Sequence, residues 1–78
     1  MKHNVIYIKY IDSAVYNQED RIDRDYKPIE FEAVGFLLKE DEVAVVLARE
    51  VRHDTEHNAR AVLVIPKVAI LERKVLEK

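Results

Sequence analysis

The sequence predicts an all-β fold: a single domain, residues 1–78, built as a five-stranded, strongly bent antiparallel small barrel with a long loop after strand 1. Three observations predict it. The chain has 78 residues, enough for one small core. Short segments rich in β-branched and aromatic residues alternate with polar turns. A flat five-stranded sheet would leave exposed edges and half a core, so a curled sheet is favoured.

The first strand is predicted at residues 5–11, which read VIYIKYI. Ile6, Ile8 and Tyr10 fall on one face of this strand, and that alternation is typical of a half-buried strand. Residues 12–27 form the polar, acid-rich part of the chain, and we interpret them as one long loop.

The second strand is predicted at residues 29–39. The alternation of apolar residues changes phase near Gly35, and a lone glycine inside a strand indicates a sharp bend or a bulge. A tight polar turn at residues 40–42 then leads into a third strand at residues 43–52.

The last third of the chain contains a turn at residues 53–58 and a fourth strand at 59–65. Pro66 ends that strand, because proline cannot donate a hydrogen bond to a ladder. A fifth strand is predicted at about residues 68–75. Its alternation is poor, so a terminal helix over residues 69–78 remains an open alternative.

Residues 43–48 and 61–65 are apolar on both faces, whereas a strand of a monomeric barrel has a polar outer face. The additional apolar surface needs a cover, and in so small a protein a second copy supplies it most easily. The pattern therefore predicts a homo-oligomer.

Composition excludes several classes of function. A net charge of -2 gives no general attraction to nucleic acid or anionic lipid, and the absence of cysteine excludes disulfides and thiolate chemistry. The apolar runs are too short to span a bilayer, and the first ten residues lack the core of a signal peptide. We expect a cytoplasmic protein without a cofactor and with no membrane partner.

The second half resembles the Sm-like barrel of Sm proteins, Lsm proteins and bacterial RNA chaperones. The family's first motif has a glycine on a bent strand, an aspartate six residues later and an apolar strand, matched here by Gly35, Asp41 and residues 43–47. An apolar strand followed by residues 66–70 (PKVAI) resembles the second motif. The resemblance implies a small barrel that assembles into rings and binds RNA.

Departures from the family concern its RNA pocket. Val45 stands where Sm proteins have the base-reading asparagine, and Val68 stands where the chaperones have their signature histidine. Of the pocket residues only Lys67 carries over. The resemblance therefore leaves an RNA-binding ring with an altered base pocket as the alternative function.

Two further resemblances cover the rest of the chain. The strand, long loop, three-stranded meander and last strand resemble an SH3-like barrel, with Ile65 and Pro66 where its one-turn helix lies. Small uncharacterised phage and prophage proteins share a start like residues 10–13, a Val-Gly-aromatic strand like residues 34–36 and a closing Ile-Pro-Lys. The resemblance to phage and prophage proteins implies no catalytic or binding activity.

The sequence contains few candidates for metal binding or catalysis. His53 and His57 are the weak candidates for a metal site, and a solvated hairpin turn is the favoured interpretation. Paired carboxylates for acid–base catalysis would have to come from the first loop, where arginines lie among them and we expect their charges to be screened and paired. These residues are Asp12, Glu19, Asp20, Asp23 and Asp25. Ser13 and Thr55 lack the glycine-rich elbow of a nucleophile. We expect that the protein is not an enzyme.

Nucleic-acid binding would need stacking rings and phosphate contacts. Lys67, Arg73 and Lys74 are the candidate phosphate contacts, and the candidate stacking residues are Tyr7, Tyr10, Tyr16 and Tyr26. The favoured hypothesis is nevertheless a non-catalytic, self-assembling barrel that acts through protein–protein contacts, with Gly35, Asp41 and Pro66 as structural residues.

Overall fold

The computed structural model describes residues 3–12, 19, 22–23, 27–55 and 57–78. It contains five strands, as the sequence predicts, and a single turn of 3₁₀ helix between the last two. The strands are β1 (Val5–Asp12), β2 (Ile29–Glu40), β3 (Ala44–Val51), β4 (Ala59–Pro66) and β5 (Ile70–Glu77). Most of the acidic loop after β1 lies outside the described residues, and so do Ser13, Tyr16 and Tyr26.

All five strands belong to one antiparallel sheet in the order β4-β3-β2-β1-β5. Consecutive strands β1 to β4 form a meander, and β5 returns to pair with the other side of β1. β4 and β5 are therefore the two edge strands.

One apolar core lies against the inner face of this sheet. Its fully buried side chains come from β1, β3 and β4: Ile6, Ile8, Val45, Leu47 and Ile65. Because β1 and β4 are separated by two strands, their side chains can meet only if the sheet curls strongly over itself. The predicted bending is thus present. The sheet is not closed, however, and the predicted barrel is not confirmed.

Gly35 lies on β2 with an ordinary negative φ, so backbone strain does not explain the glycine. A Cβ atom placed there would lie 2.8 Å from the backbone carbonyl oxygen of Ala48 on β3, and close approach of two strands therefore requires the missing side chain. The break in register falls later than predicted, between Leu37 and Lys39. A bulge at Gly35 is therefore wrong, whereas a bend at Gly35, the other form of the expectation, stays a prediction.

The chain turns from β4 to β5 through the 3₁₀ turn Lys67–Ala69, which follows Pro66 directly. Pro66 is the last residue of β4, as a residue without an N–H group should be. The segment after the turn is strand β5, because Ile70 and the residues after it pair with β1. The alternative of a terminal helix over residues 69–78 is wrong.

Candidate functional site

The strongest polar cluster of the described residues joins β2, the 3₁₀ turn and β5. Glu40, at the end of β2, accepts two hydrogen bonds from Arg73, at 2.6 Å from Nη2 to Oε1 and 2.9 Å from Nη1 to Oε2. Lys67 Nζ lies 2.8 Å from Oε2 of the same carboxylate. We call these three residues the Glu40 cluster.

Electrostatics within the Glu40 cluster favour the ionised carboxylate. The hydrogen bonds from Arg73 and Lys67 lower the pKa of Glu40 to about 2. The bond to Glu40 also raises the pKa of Arg73. About a third of each side chain is exposed, so the cluster is a surface feature that solvent partly screens.

The turn between β2 and β3 holds Glu40 in place. The carboxylate of Asp41 accepts hydrogen bonds from the N–H groups of Val43 and Ala44, both at 2.8 Å, and these bonds lower its pKa. Lys67 N–H donates to the carbonyl of Val43 at 2.8 Å, which fixes the 3₁₀ turn against this loop.

Two of the three candidate phosphate contacts, Lys67 and Arg73, are bound to Glu40. The third, Lys74, points to a different surface: its Nζ lies 5.8 Å from the centroid of the Tyr7 ring and 3.9 Å from Glu72. The structure therefore divides these cations between two places, and each of them has an acidic neighbour.

The tyrosines of β1 divide between the two faces of the sheet. Tyr10 packs against the core and stacks on Phe31 with ring centroids 5.8 Å apart. Tyr7 is partly buried on the other face and donates a hydrogen bond to Glu32 at 3.1 Å. Partial burial, with Glu32 beside the hydroxyl, raises the pKa of Tyr7.

His53 and His57 lie exposed in the turn between β3 and β4. Arg52 binds Asp54 there through two hydrogen bonds of 2.7 and 2.9 Å, while the N–H of His57 donates to Thr55. Glu56 lies outside the described residues. Within the part of the chain that is described, no three His, Asp or Glu side chains come close enough to share a metal ion.

The sequence pattern places Glu40 only in a polar turn and gives no indication of its role. Its partner Arg73 is 33 residues away in the chain, and a pair so distant leaves no local pattern. The available signal was an acidic residue at the end of a strand together with basic residues in the last strand. Only the strand order brings them together.

Both edge strands expose apolar side chains. On β4 these are Val62 and Val64, and on β5 they are Leu71, Val75 and Leu76, each about half exposed. Val68, in the 3₁₀ turn between the edges, is 98% exposed. Isolated apolar residues on a surface are normal, but a row of them along the open edge of a sheet is typical of an interaction surface.

Comparisons with protein-family models, with curated proteins and with solved structures find no match to this chain. Among the described residues, no helix has the length and the apolar character that crossing a membrane requires.

Proposed function

We propose that this chain is a non-catalytic, self-assembling module that acts through protein–protein contacts. The observation that supports the proposal is the pair of unpaired edges, β4 and β5, at the two ends of one curled sheet. An edge strand presents free N–H and C=O groups, which a strand of another chain can satisfy. Half-exposed apolar side chains flank these groups on both edges.

A small Sm-like or SH3-like barrel is the fold that we propose for this assembly. The single 3₁₀ turn after Pro66, followed directly by the last strand, supports it. So does a core shared by β1 and β4. A phage origin stays a prediction from the resemblance alone.

The alternative, an RNA-binding ring with an altered base pocket, has less support. Lys67 and Arg73 would have to exchange Glu40 for a phosphate, although Glu40 already meets both cations at hydrogen-bonding distance. Val45 is fully buried in the core, so it offers no surface to a base at the position of the family's asparagine.

The mass in solution tests this proposal. Sedimentation and light scattering from micromolar to millimolar protein should show a species heavier than the 9.2 kDa chain. Val64→Lys on β4 and Leu71→Lys on β5 each place a charge on an exposed edge, and at least one of them should reduce the mass. Val34→Lys is the matched control, since Val34 is as exposed as Val64 (59%) but lies on β2, outside both of the proposed edges. A wild-type mass of one chain at every concentration would contradict the proposal.

A further inference from the structure

The two edge strands differ in how well they can accept another strand. On β4, Ala61 has a φ of 53°, a conformation that interrupts a regular strand, and Pro66 ends it. On β5, residues 70–77 contain neither proline nor glycine, and none of them has a positive φ. The register of β5 against β1 shifts near both ends of β5, but residues 72–75 pair with β1 without a break, so this central stretch can accept another strand.

We propose that two copies of the chain pair through their β5 strands, antiparallel and about a two-fold axis that passes beside Arg73. This inference rests on the proposed self-assembly and names its interface. In this register each Glu72 lies opposite Lys74 of the second copy, within the stretch 72–75 that pairs evenly with β1. The two sheets then form one continuous sheet, and the symmetry doubles every contact.

The faces of β5 agree with this register. Glu72 and Lys74 pair with Lys9 and Tyr7 of β1, and these four residues share the outer face of the sheet. The side chains of Glu72 and Lys74 already lie 3.9 Å apart within one strand. Across a two-fold axis they would form two opposite-charge pairs, an arrangement that stabilises antiparallel strands.

Arg73 would meet its own copy on the axis, and two unpaired arginines there would repel. Each Arg73, however, is bound by the ionised carboxylate of Glu40 of the same chain, at 2.6 and 2.9 Å. The Glu40 cluster thus supplies the negative charge that this register needs. The cluster therefore acts as a preformed part of the interface.

Other registers of the same pairing are less complementary. An axis beside Lys74 places the two Lys74 side chains opposite each other, and like charges directly opposite each other are destabilising. An axis beside Val75 places Arg73 opposite Glu77, but Arg73 is already bound to Glu40, and Lys74 would face the apolar Leu76. Of these registers, only the one centred on Arg73 places Lys74 opposite an acid, and Glu40 neutralises its arginine pair.

Charge reversal on β5 tests this register. Glu72→Lys and Lys74→Glu each turn both cross-strand pairs into like-charge pairs, and each should raise the dissociation constant of the dimer by roughly tenfold or more. An equimolar mixture of the two variants restores opposite charges in every pair, so it should form a mixed dimer with an affinity near that of the wild type. Sedimentation of each variant and of the mixture measures this, and circular dichroism checks that both variants fold.

The mixture separates a contact between copies from an effect within one chain. Lys74→Glu also removes the contact of Lys74 with the Tyr7 ring, but mixing could not repair that loss. If Lys74→Glu leaves the mass unchanged, or if the mixture does not recover it, this interface is wrong and self-assembly through another surface stands. If the wild type has the mass of one chain, both the interface and the proposed function are wrong.

Discussion

Arg73 on β5 donates two hydrogen bonds, of 2.6 and 2.9 Å, to Glu40 at the end of β2. These two strands are not neighbours, because β1 lies between them in the sheet. The contact requires curvature, because Arg73 is level with Ala33 of β2 through Ile8 of β1, whereas Glu40 lies seven residues further along β2. It therefore belongs to the same bending that brings Ile65 of β4 to Ile6 of β1 in the core. Lys67 joins the contact from the 3₁₀ turn and ties the start of β5 to it.

Removing the charge of Glu40 should make the free energy of unfolding depend less on pH under acidic conditions. Because the pKa of Glu40 falls from 4.5 to about 2 on folding, its ionised form stabilises the fold above pH 4.5, and this contribution is lost as the pH falls towards 2. Glu40→Gln should lower the free energy of unfolding at neutral pH by up to about 1 kcal/mol, since the cluster is partly exposed.

Urea denaturation of both proteins between pH 7 and pH 2 provides the measurement. The wild type and Glu40→Gln should converge as the pH approaches 2. Glu42→Gln removes an exposed carboxylate from the same turn and should keep the wild-type profile. A constant difference between the wild type and Glu40→Gln at every pH would contradict the assignment.

The strands were predictable because each one has its own local pattern. Ile6 and Ile8 alternate with Tyr7 and Lys9, and the alternation alone gives β1 and its buried face. The Glu40 cluster was not predictable in this way, because it depends on the strand order and on the curvature of the sheet. The positive φ of Ala61 has no local signal either, since alanine is not a residue that favours that conformation.

Adding a side chain at Gly35 should destabilise the fold. The Cβ atom of Gly35→Ala would lie 2.8 Å from the Ala48 carbonyl oxygen, a backbone atom that cannot rotate away, so β2 and β3 must separate. We expect a loss of about 1–3 kcal/mol, larger for Gly35→Val, in thermal or urea denaturation. Val34→Ala, at the exposed neighbouring position, should cost less than about 1 kcal/mol. Equal melting of Gly35→Val and the wild type would contradict the close approach.

Glycine at position 61 should be tolerated far better than glycine at position 59 of the same edge strand. Ala61 has a φ of 53°, which glycine adopts without cost, whereas no positive φ is recorded at Ala59. We expect Ala59→Gly to be destabilising and Ala61→Gly to be neutral or stabilising, with a difference of about 1–2 kcal/mol between the two. Urea denaturation measures it, and equal losses would show that Ala61 is unstrained.

The last prediction concerns RNA. With Val45 buried and Val68 apolar, the chain has no side chain at these positions that can hydrogen-bond a base, so it should not prefer U-rich over A-rich oligomers. Glu40→Gln releases Lys67 and Arg73 for phosphates. Titration at low salt should then show tighter binding than the wild type, with a salt dependence of log affinity steeper by about 1.4 for the two released cations.

Glu42→Gln makes this comparison specific, because it changes the net charge equally and releases neither cation. If both variants gain the same affinity, only net charge matters, and Glu40 does not occupy the phosphate contacts. If the wild type keeps a preference for one sequence at physiological salt, a base-reading pocket exists that Lys67 and Arg73 do not form. The RNA-binding ring would then replace the protein–protein module as the leading function, because affinity from phosphate contacts alone is insensitive to sequence and falls with salt.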